Sequence, residues 1–536
     1  MKKATTIIVI LIGVMVGGCK KYLNVNQNQN QPTTVTPNVV LSAALVGTAD
    51  NLGRDYQNLT RWMAYWSRSG NYVPDVQTET YNLPNNYTDF EWGNVYATLN
   101  RFNYIEQTGR DAQAPFYVAV AKVMKAFHFS MLVDIYNDVP YKEAFNPQNS
   151  VQPKYDKGAD IYNDLVKQVD SAIVLFDSAK SYYATAPTVT LKTDEQYDVL
   201  FGNAGGNGGT DAATASDRMD AWVRFSNTLL LKLLMHQSQV GAQQGLIATE
   251  LAGIAANGRG FIGAGESAVV NPGYQNSTAK INPFYATFFT VTASTTNVAY
   301  YRANTYAVNF YNSNNDPRLG YFYSAVNGGY AGNYDGDPAA VSNANTSAIG
   351  PGVLKGPGQD QLVLSDFESL FLQAEAAQRG WITGDPQTLF ESAITQSFEY
   401  LYKDGTNQIP TGAAPDDDAR TYYTQGVADV DWTASPNKLH AILTQKWAAL
   451  NGINQVEAWT DFRRTGIPAL PISKAPTHIE PEIPVRYLYP QSELNTNGVN
   501  VTQLGANAQR NVRSAAASRR GARPRRVPRR RRRVGA

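Results

Sequence analysis

One cysteine, Cys19, and four histidines serve a chain of 536 residues. A lone thiol excludes an internal disulfide framework, and the histidines show neither His-Glu-x-x-His spacing nor cysteine partners that would hold a metal. His128 and His236 fall inside helical patterns and read as core or groove histidines, whereas His440 and His478 carry no signature at all. Catalytic motifs are missing too: there is no Gly-x-Ser-x-Gly elbow and no Gly-x-x-x-x-Gly-Lys-[Ser/Thr] loop. The glycine-rich "FGNAGGNGGTDAATASD" from Phe201 lacks the spacing and the lysine of a phosphate cradle, and reads as a flexible loop. No catalytic residue, metal or cofactor is therefore expected. Beyond the N-terminal segment no uninterrupted apolar run reaches the roughly 20 residues that span a bilayer.

Acidic residues are absent from the last stretch, where Arg510, Arg513, Arg519, Arg520, Arg523, Arg525, Arg526 and Arg529 to Arg533 contribute 12 of the chain's 46 basic residues. The formal net charge of +1 thus conceals an acidic body, in which 45 acids face 34 bases. An acidic body argues against a nucleic-acid surface. The tail "SAAASRRGARPRRVPRRRRRVGA" has two readings. It is either a basic arm for anionic lipid or lipopolysaccharide, or the product of an altered reading frame near Thr502, which its composition of GC-rich codons favours. Either way it is expected to be disordered.

What the sequence does contain begins with "IVILIGVMVGGCKKYLNVNQNQNQPTT". Lys2 and Lys3, an apolar run from Ile7 to Val16, and Gly17-Gly18 form a secretory signal over residues 1–18. The order Val16-Gly17-Gly18-Cys19 resembles the lipobox of bacterial lipoproteins, which implies cleavage before Cys19 and its acylation, palmitate included. Several acyl chains hold a protein to a membrane where one does not. Residues 19–37 then read as the lipidated cysteine and a polar tether.

Helical stripes follow. Trp92, Val95, Tyr96, Leu99, Phe102 and Ile105 recur at three- and four-residue steps, as do Phe116, Val120, Val123, Phe127 and Met131. So do Ile161, Leu165, Val169, Ile173 and Phe176, and Trp222, Phe225, Leu229 and Leu233. Thr36-Pro37, Asp385-Pro386 and Ser435-Pro436 each look like a cap followed by a first-turn proline. Between about 257 and 361 the texture changes to Gly, Asn, Tyr, Ser and Thr, which predicts long loops and short strands on a helical base. No repeat of about 34 residues is demonstrable.

Aromatic faces stack on sugar rings or apolar side chains while amides fix orientation. The densest such cluster is "RWMAYWSRSGNYVPDVQTETYNLPNNYTDF", from which Trp66, Asn71, Tyr72, Tyr81 and Tyr87 are picked as ligand contacts, with Tyr300 and Tyr301 as weaker ones. The competing reading makes Trp62 and Trp66 two knobs of one buried helix face. Arg463 and Arg464 fall in the last turn of a helix ended by Gly466 and Pro468, where an ion pair to Asp461 or another acid would serve the fold. In "NNDPRL", Asp316-Pro317 forms a turn that Arg318 can clamp.

Several blocks, in order, resemble the SusD/RagB family of outer-membrane nutrient-binding lipoproteins, in its second, SusD-like branch. They are "CKKYLNVN", "DIYNDVPYKEAFNPQNSVQPKYDKGADIYNDLVKQVDSAI" from Asp134, "AWVRFSNTLLLKLLMH" from Ala221, "NDPRLGYFY" from Asn315, "SLFLQAEAAQRGW" from Ser369, and "TQKWAALNGINQVEAWTDFRRTGIP" from Thr444. The resemblance implies a mainly α, SusD-like fold over residues 38–502, with tetratricopeptide-like helical pairs carrying a loop-rich ligand-binding part at 257–361 and a few short strands. Residues 503–536 lie outside it. It further implies a non-enzymatic protein, lipid-anchored in the outer membrane and facing outward. Such a protein captures an oligosaccharide or peptide and hands it to a SusC-like, TonB-dependent barrel. Lys20 and Lys21 depart from the acidic residues that often accompany surface display. The other readings are a surface glycan-processing enzyme, needing two carboxylates about 5 to 10 Å apart, and a structural envelope lipoprotein.

Overall fold

A computed structural model describes residues 35–185, 196–202, 212–290, 297–477 and 482–505. Cys19, the tether up to residue 34, the centre of the glycine-rich stretch, His478 and the tail from 506 lie outside them.

Helix boundaries follow cap chemistry. Helix Pro37–Arg54 begins on the proline whose fixed φ suits a first turn, although Thr36 makes no side-chain cap bond. Asp385 does cap, accepting from the Thr388 amide at 3.0 Å ahead of helix Pro386–Tyr402. The Ser435-Pro436 start is corrected by two residues. Helix Lys438–Ala449 opens after Asn437, which accepts from the His440 amide at 3.1 Å. Ser435 is already committed, its Oγ accepting from the Asp429 amide at 2.8 Å and donating to the Asp431 carbonyl at 2.6 Å.

The stripes are core. Val95, Leu99, Phe102 and Ile105 are fully buried, and so are Trp222, Phe225, Leu229 and Leu233. Helices Asp89–Asp111, Pro115–Tyr136, Gly158–Thr185 and Ala212–His236 pack each against the next, and Pro37–Arg54 lies on the first of them. The second half repeats the habit: Asp366–Gln378 packs against Pro386–Tyr402 and Lys438–Ala449, and meets Ala212–His236. Helix Pro115–Tyr136 is long and apolar enough to cross a membrane by length and composition, although Lys122, Lys125 and Asp134 interrupt its apolar run. It is apolar all round because it is the central helix of the bundle, buried on nearly every face.

Charged residues of the shared blocks hold this scaffold. Arg318 clamps its turn, donating from Nε to Asp316 Oδ1 at 3.0 Å and from Nη2 to Oδ2 at 2.7 Å. Arg464 pairs with Asp461 and with Glu375, both at 2.6 Å. Arg463 spends its donors on the Asp134 and Val485 carbonyls, at 2.6 and 2.8 Å, and lies over the Trp459 ring.

Strands are few and short. β1 (Trp66–Arg68) pairs antiparallel with β5 (Tyr301–Ala303), β2 (Val139–Pro140) with β3 (Tyr155–Asp156), and β4 (Ala268–Val270) with β6 (Gln361–Leu364). Between β4 and β6 run only short elements, among them helices Pro283–Ala286, Thr305–Ser313 and Leu319–Phe322. The β1–β5 pair sets Arg68 opposite Tyr301, and so brings two aromatic-rich segments distant in sequence to one place.

Candidate functional site

Arg61 and Arg68 organise this place. Arg61, 3% exposed, donates from Nε to Asp335 Oδ1 at 2.7 Å and from Nη2 to Glu79 Oε1 at 3.1 Å. Its Nη1 reaches Thr78 Oγ1 at 2.5 Å and the Tyr300 hydroxyl at 3.2 Å. Arg68 shares Glu79, at 2.6 Å, and holds the Tyr72 carbonyl at 2.5 Å. Burial pushes the Asp335 carboxyl up, and the Arg61 guanidinium opposes this. Two buried cations thus pin the 69–79 loop to β1 and to the segment before β5, a network whose members are costly to remove singly.

Above this base lie aromatic rings. Tyr72 meets Tyr300 edge to face at 5.4 Å, Tyr300 meets Tyr301 at 5.0 Å, and Tyr301 meets Trp66 at 5.4 Å. Tyr72, Val73 and Val76 are exposed, at 39, 84 and 64%. A second loop joins them. The Gly70 amide donates to the Val341 carbonyl at 2.9 Å, and Asn71 Oδ1 accepts from the Asn343 amide at 2.9 Å. Asn343 Oδ1 in turn accepts from Arg302 Nε at 2.8 Å. Gly70 is required here, since a Cβ would lie 2.0 Å from the Ala340 carbonyl oxygen. Exposed ring edges, aliphatic side chains, amides and a guanidinium together can stack on and orient a ring-shaped ligand.

The residues singled out from sequence divide accordingly. Asn71, Tyr72, Tyr300 and Tyr301 come together on this platform. Trp66 does not reach the surface: it is fully buried, enclosed by Phe284, Phe288 and Tyr301, because as the first residue of β1 it faces the interior. Nor is it a helix knob beside Trp62, since helix Leu59–Trp62 ends before it. Tyr81 is 2% exposed and its hydroxyl accepts from the Ser473 amide at 2.7 Å, a tie between chain segments and not a ligand contact. Tyr87 is half-buried in the 3-10 turn Asn85–Thr88, packed against the core. Arg302, Asn343 and Val341 were missed. Arg302 stood one residue beyond the two tyrosines and was readable; Asn343 carried no signal, because only folding brings it to Asn71.

Two clefts open elsewhere on the scaffold. One is lined by Asp134, Tyr162, His236 and Arg463. His236 is gripped at both nitrogens, Nδ1 by Asp134 at 3.2 Å and Nε2 by Glu457 at 3.1 Å, and these carboxylates overcome burial to raise its pKa to about 9. The other is lined by Asn51, Asp55, Glu368 and Asn454. Burial raises Asp55 to about 7, and its Oδ2 has no hydrogen-bond partner among the described residues. His128 is sealed in the core and burial lowers it to about 3. Among the described residues no group of three or more His, Cys, Asp or Glu side chains is placed to hold a metal ion.

A family model described as "SusD-like_2: Starch-binding associating with outer membrane" matches residues 29–490. Among curated proteins none matches. Of the solved structures, a SusD homologue from Bacteroides fragilis superposes with a TM-score of 0.67 at 20% identity, over 89% of this chain and 100% of its own. A chitin-binding protein gives 0.68 at 22%, over 88 and 98%. A chitin-binding SusD homologue from Flavobacterium johnsoniae gives 0.65 at 20%, over 89 and 98%.

Proposed function

Because this chain belongs to the SusD-like family, matched over residues 29–490, we propose that it is a nutrient-binding lipoprotein that captures an oligosaccharide at the Tyr72–Tyr300 platform. The observation that carries the reading is that platform: the exposed Tyr72 ring against the half-buried Tyr300 and Tyr301, with the exposed aliphatics Val73 and Val76, flanked by Asn71 and Asn343 and standing on a buried network of ion pairs. A rigid base lets aromatic faces bind without first being ordered. Chitin is named for two of the structural relatives. Chito-oligosaccharides are therefore the first ligands to try, beside malto-oligosaccharides and peptides.

In this reading the protein binds without turnover, is anchored through Cys19 in the outer membrane with its platform outward, and delivers its ligand to a SusC-like, TonB-dependent barrel. The test is a glycan and peptide panel titrated against the full chain and against Tyr72→Ala and Tyr300→Ala. Weaker binding in both variants, with an unchanged thermal midpoint in Tyr72→Ala, supports the platform; unchanged affinity removes it. Cys19→Ser should shift the protein from the membrane to the soluble fraction, and protection from protease in intact cells would overturn outward display. Co-purification of a large barrel tests the delivery step, and release of shorter sugars on incubation would favour an enzyme.

A further inference from the structure

Stacking of a neutral sugar gives Arg302 nothing to neutralise. Four other buried guanidinium groups are each met by a carboxylate: Arg61 has Asp335 at 2.7 Å, Arg68 has Glu79 at 2.6 Å, Arg318 has Asp316 at 2.7 Å and Arg464 has Glu375 at 2.6 Å, whereas Arg463 is spent on backbone carbonyls and Arg218 lies over the Phe116 ring. Arg302 is only 7% exposed, yet among the described residues it has no such partner. Its Nε donates to Asn343 Oδ1 at 2.8 Å and its Nη1 reaches the Val298 carbonyl at a long 3.4 Å. Nη2 makes no hydrogen bond among the described residues, and it is not one of the buried unpartnered atoms. Such a guanidinium has given up much of its hydration without gaining an opposite charge, and keeps Nη2 open.

Its position is what makes this informative. Arg302 lies in β5 directly after Tyr300 and Tyr301, burial lowers its pKa while Tyr72 nearby opposes this, and its Nε is held by the same Asn343 that anchors Asn71. The end of the guanidinium that Asn343 leaves free, Nη1 and Nη2, can take a carboxylate in two parallel bonds, as that of Arg464 does with Glu375.

Resting on the reading of the platform as the glycan site, we infer that the protein selects acidic oligosaccharides, with a uronate carboxylate seated on Arg302 while a neighbouring ring packs on Tyr72 and Tyr300. The glycan is favoured over an acidic peptide because the flanking groups are ring edges and amides, which suit a flat polyhydroxylated ring.

The experiment is calorimetric titration of the full chain with trigalacturonate, with the matching neutral galactose trisaccharide and with triglutamate. Trigalacturonate is expected to bind at least tenfold more tightly than either, and to weaken as salt rises. Arg302→Gln should abolish the difference between acid and neutral sugar, Arg302→Lys should retain part of it, and Tyr300→Ala should weaken both sugars. Equal affinity for the two sugars, or no binding of trigalacturonate, overturns the acid selection. If that equality comes with loss of both sugars in Tyr300→Ala, the platform itself stands. A preference that survives Arg302→Gln overturns the role of Arg302, and triglutamate binding as tightly as trigalacturonate overturns the glycan class. Indifference of both sugars to Tyr300→Ala overturns the platform and this inference with it.

Discussion

Arg464 and Glu375, 89 positions apart in the chain, meet in a two-pronged ion pair, Nη1 to Oε1 at 2.6 Å and Nη2 to Oε2 at 2.7 Å. Both side chains are 1% exposed, so each is the other's substitute for water. Glu375→Ala leaves the guanidinium with Asp461 alone and breaks the bond to Arg379, and is expected to cost about 3–5 kcal/mol, read as a lower urea midpoint. The pair also has an acid limit. Arg464 and Arg379 hold Glu375 at about 2 against an ordinary 4.5, so its stabilisation is complete above 4.5 and is lost as pH falls through about 2. In Glu375→Gln the loss between these values should be smaller.

His236 sets the opposite limit. Its pKa is raised from 6.5 to about 9 by Asp134 and Glu457, with Tyr162 also on Nδ1. Its contribution is therefore full below 6.5 and lost as pH rises through about 9, on the order of 3 kcal/mol in all. The stability gap between the native chain and His236→Gln should shrink from pH 6 to pH 10. A gap that stays constant would show that the imidazolium is not what binds those carboxylates.

Asp55 works against the fold. Burial raises it to about 7 from 3.8, so ionisation is resisted in the folded state; stability falls as pH rises between these values and stays reduced above. Asp55→Asn is expected to stabilise the protein by roughly 2–4 kcal/mol at pH 8 and to change little below pH 4, measured by chemical denaturation.

Trp66 and Tyr72, six residues apart, should fail in different assays. Trp66→Ala empties a closed pocket between Phe284, Phe288 and Tyr301 and is expected to cost about 3–5 kcal/mol of stability. Tyr72→Ala should leave the thermal midpoint nearly unchanged and weaken ligand binding, because its ring is 39% exposed. A melt and a titration of each variant separate the two roles.

Gly70→Ala should do both. The added methyl meets the Ala340 carbonyl and forces apart the two loops that carry Asn71 and Asn343, at about 1–3 kcal/mol. Retention of full binding would mean that loop pairing does not shape the platform.

These contrasts show how far the sequence could be read. The helical scaffold was legible because its signal is local: Trp92, Val95, Leu99, Phe102 and Ile105 announce their shared face within four turns, and Arg318 finds Asp316 two residues away. The platform was half legible. Tyr72 and Tyr300 were visible as aromatics in polar surroundings, but the same composition pointed to Trp66 and Tyr81, and nothing local distinguishes a ring that faces out from one that a strand turns inward. The partners that decide the matter are distant, Asn343 lying 272 residues from Asn71 and Asp335 lying 274 from Arg61. Ser435 misled for a related reason, since its hydroxyl was drawn to the turn before it.

The β1–β5 pairing also has a consequence in time. Ser67 meets the Arg302 carbonyl across 235 residues of chain, and at roughly 5–20 residues per second the first strand waits on the order of 10–50 s for the second to be made. Through that interval Trp66 has no Tyr301 to cover it, and the segment "WMAYW" is an exposed, aggregation-prone surface that must be kept apart from its own kind. A polypeptide stopped before Tyr301 would contain most of the first helical bundle and no ligand platform whatever.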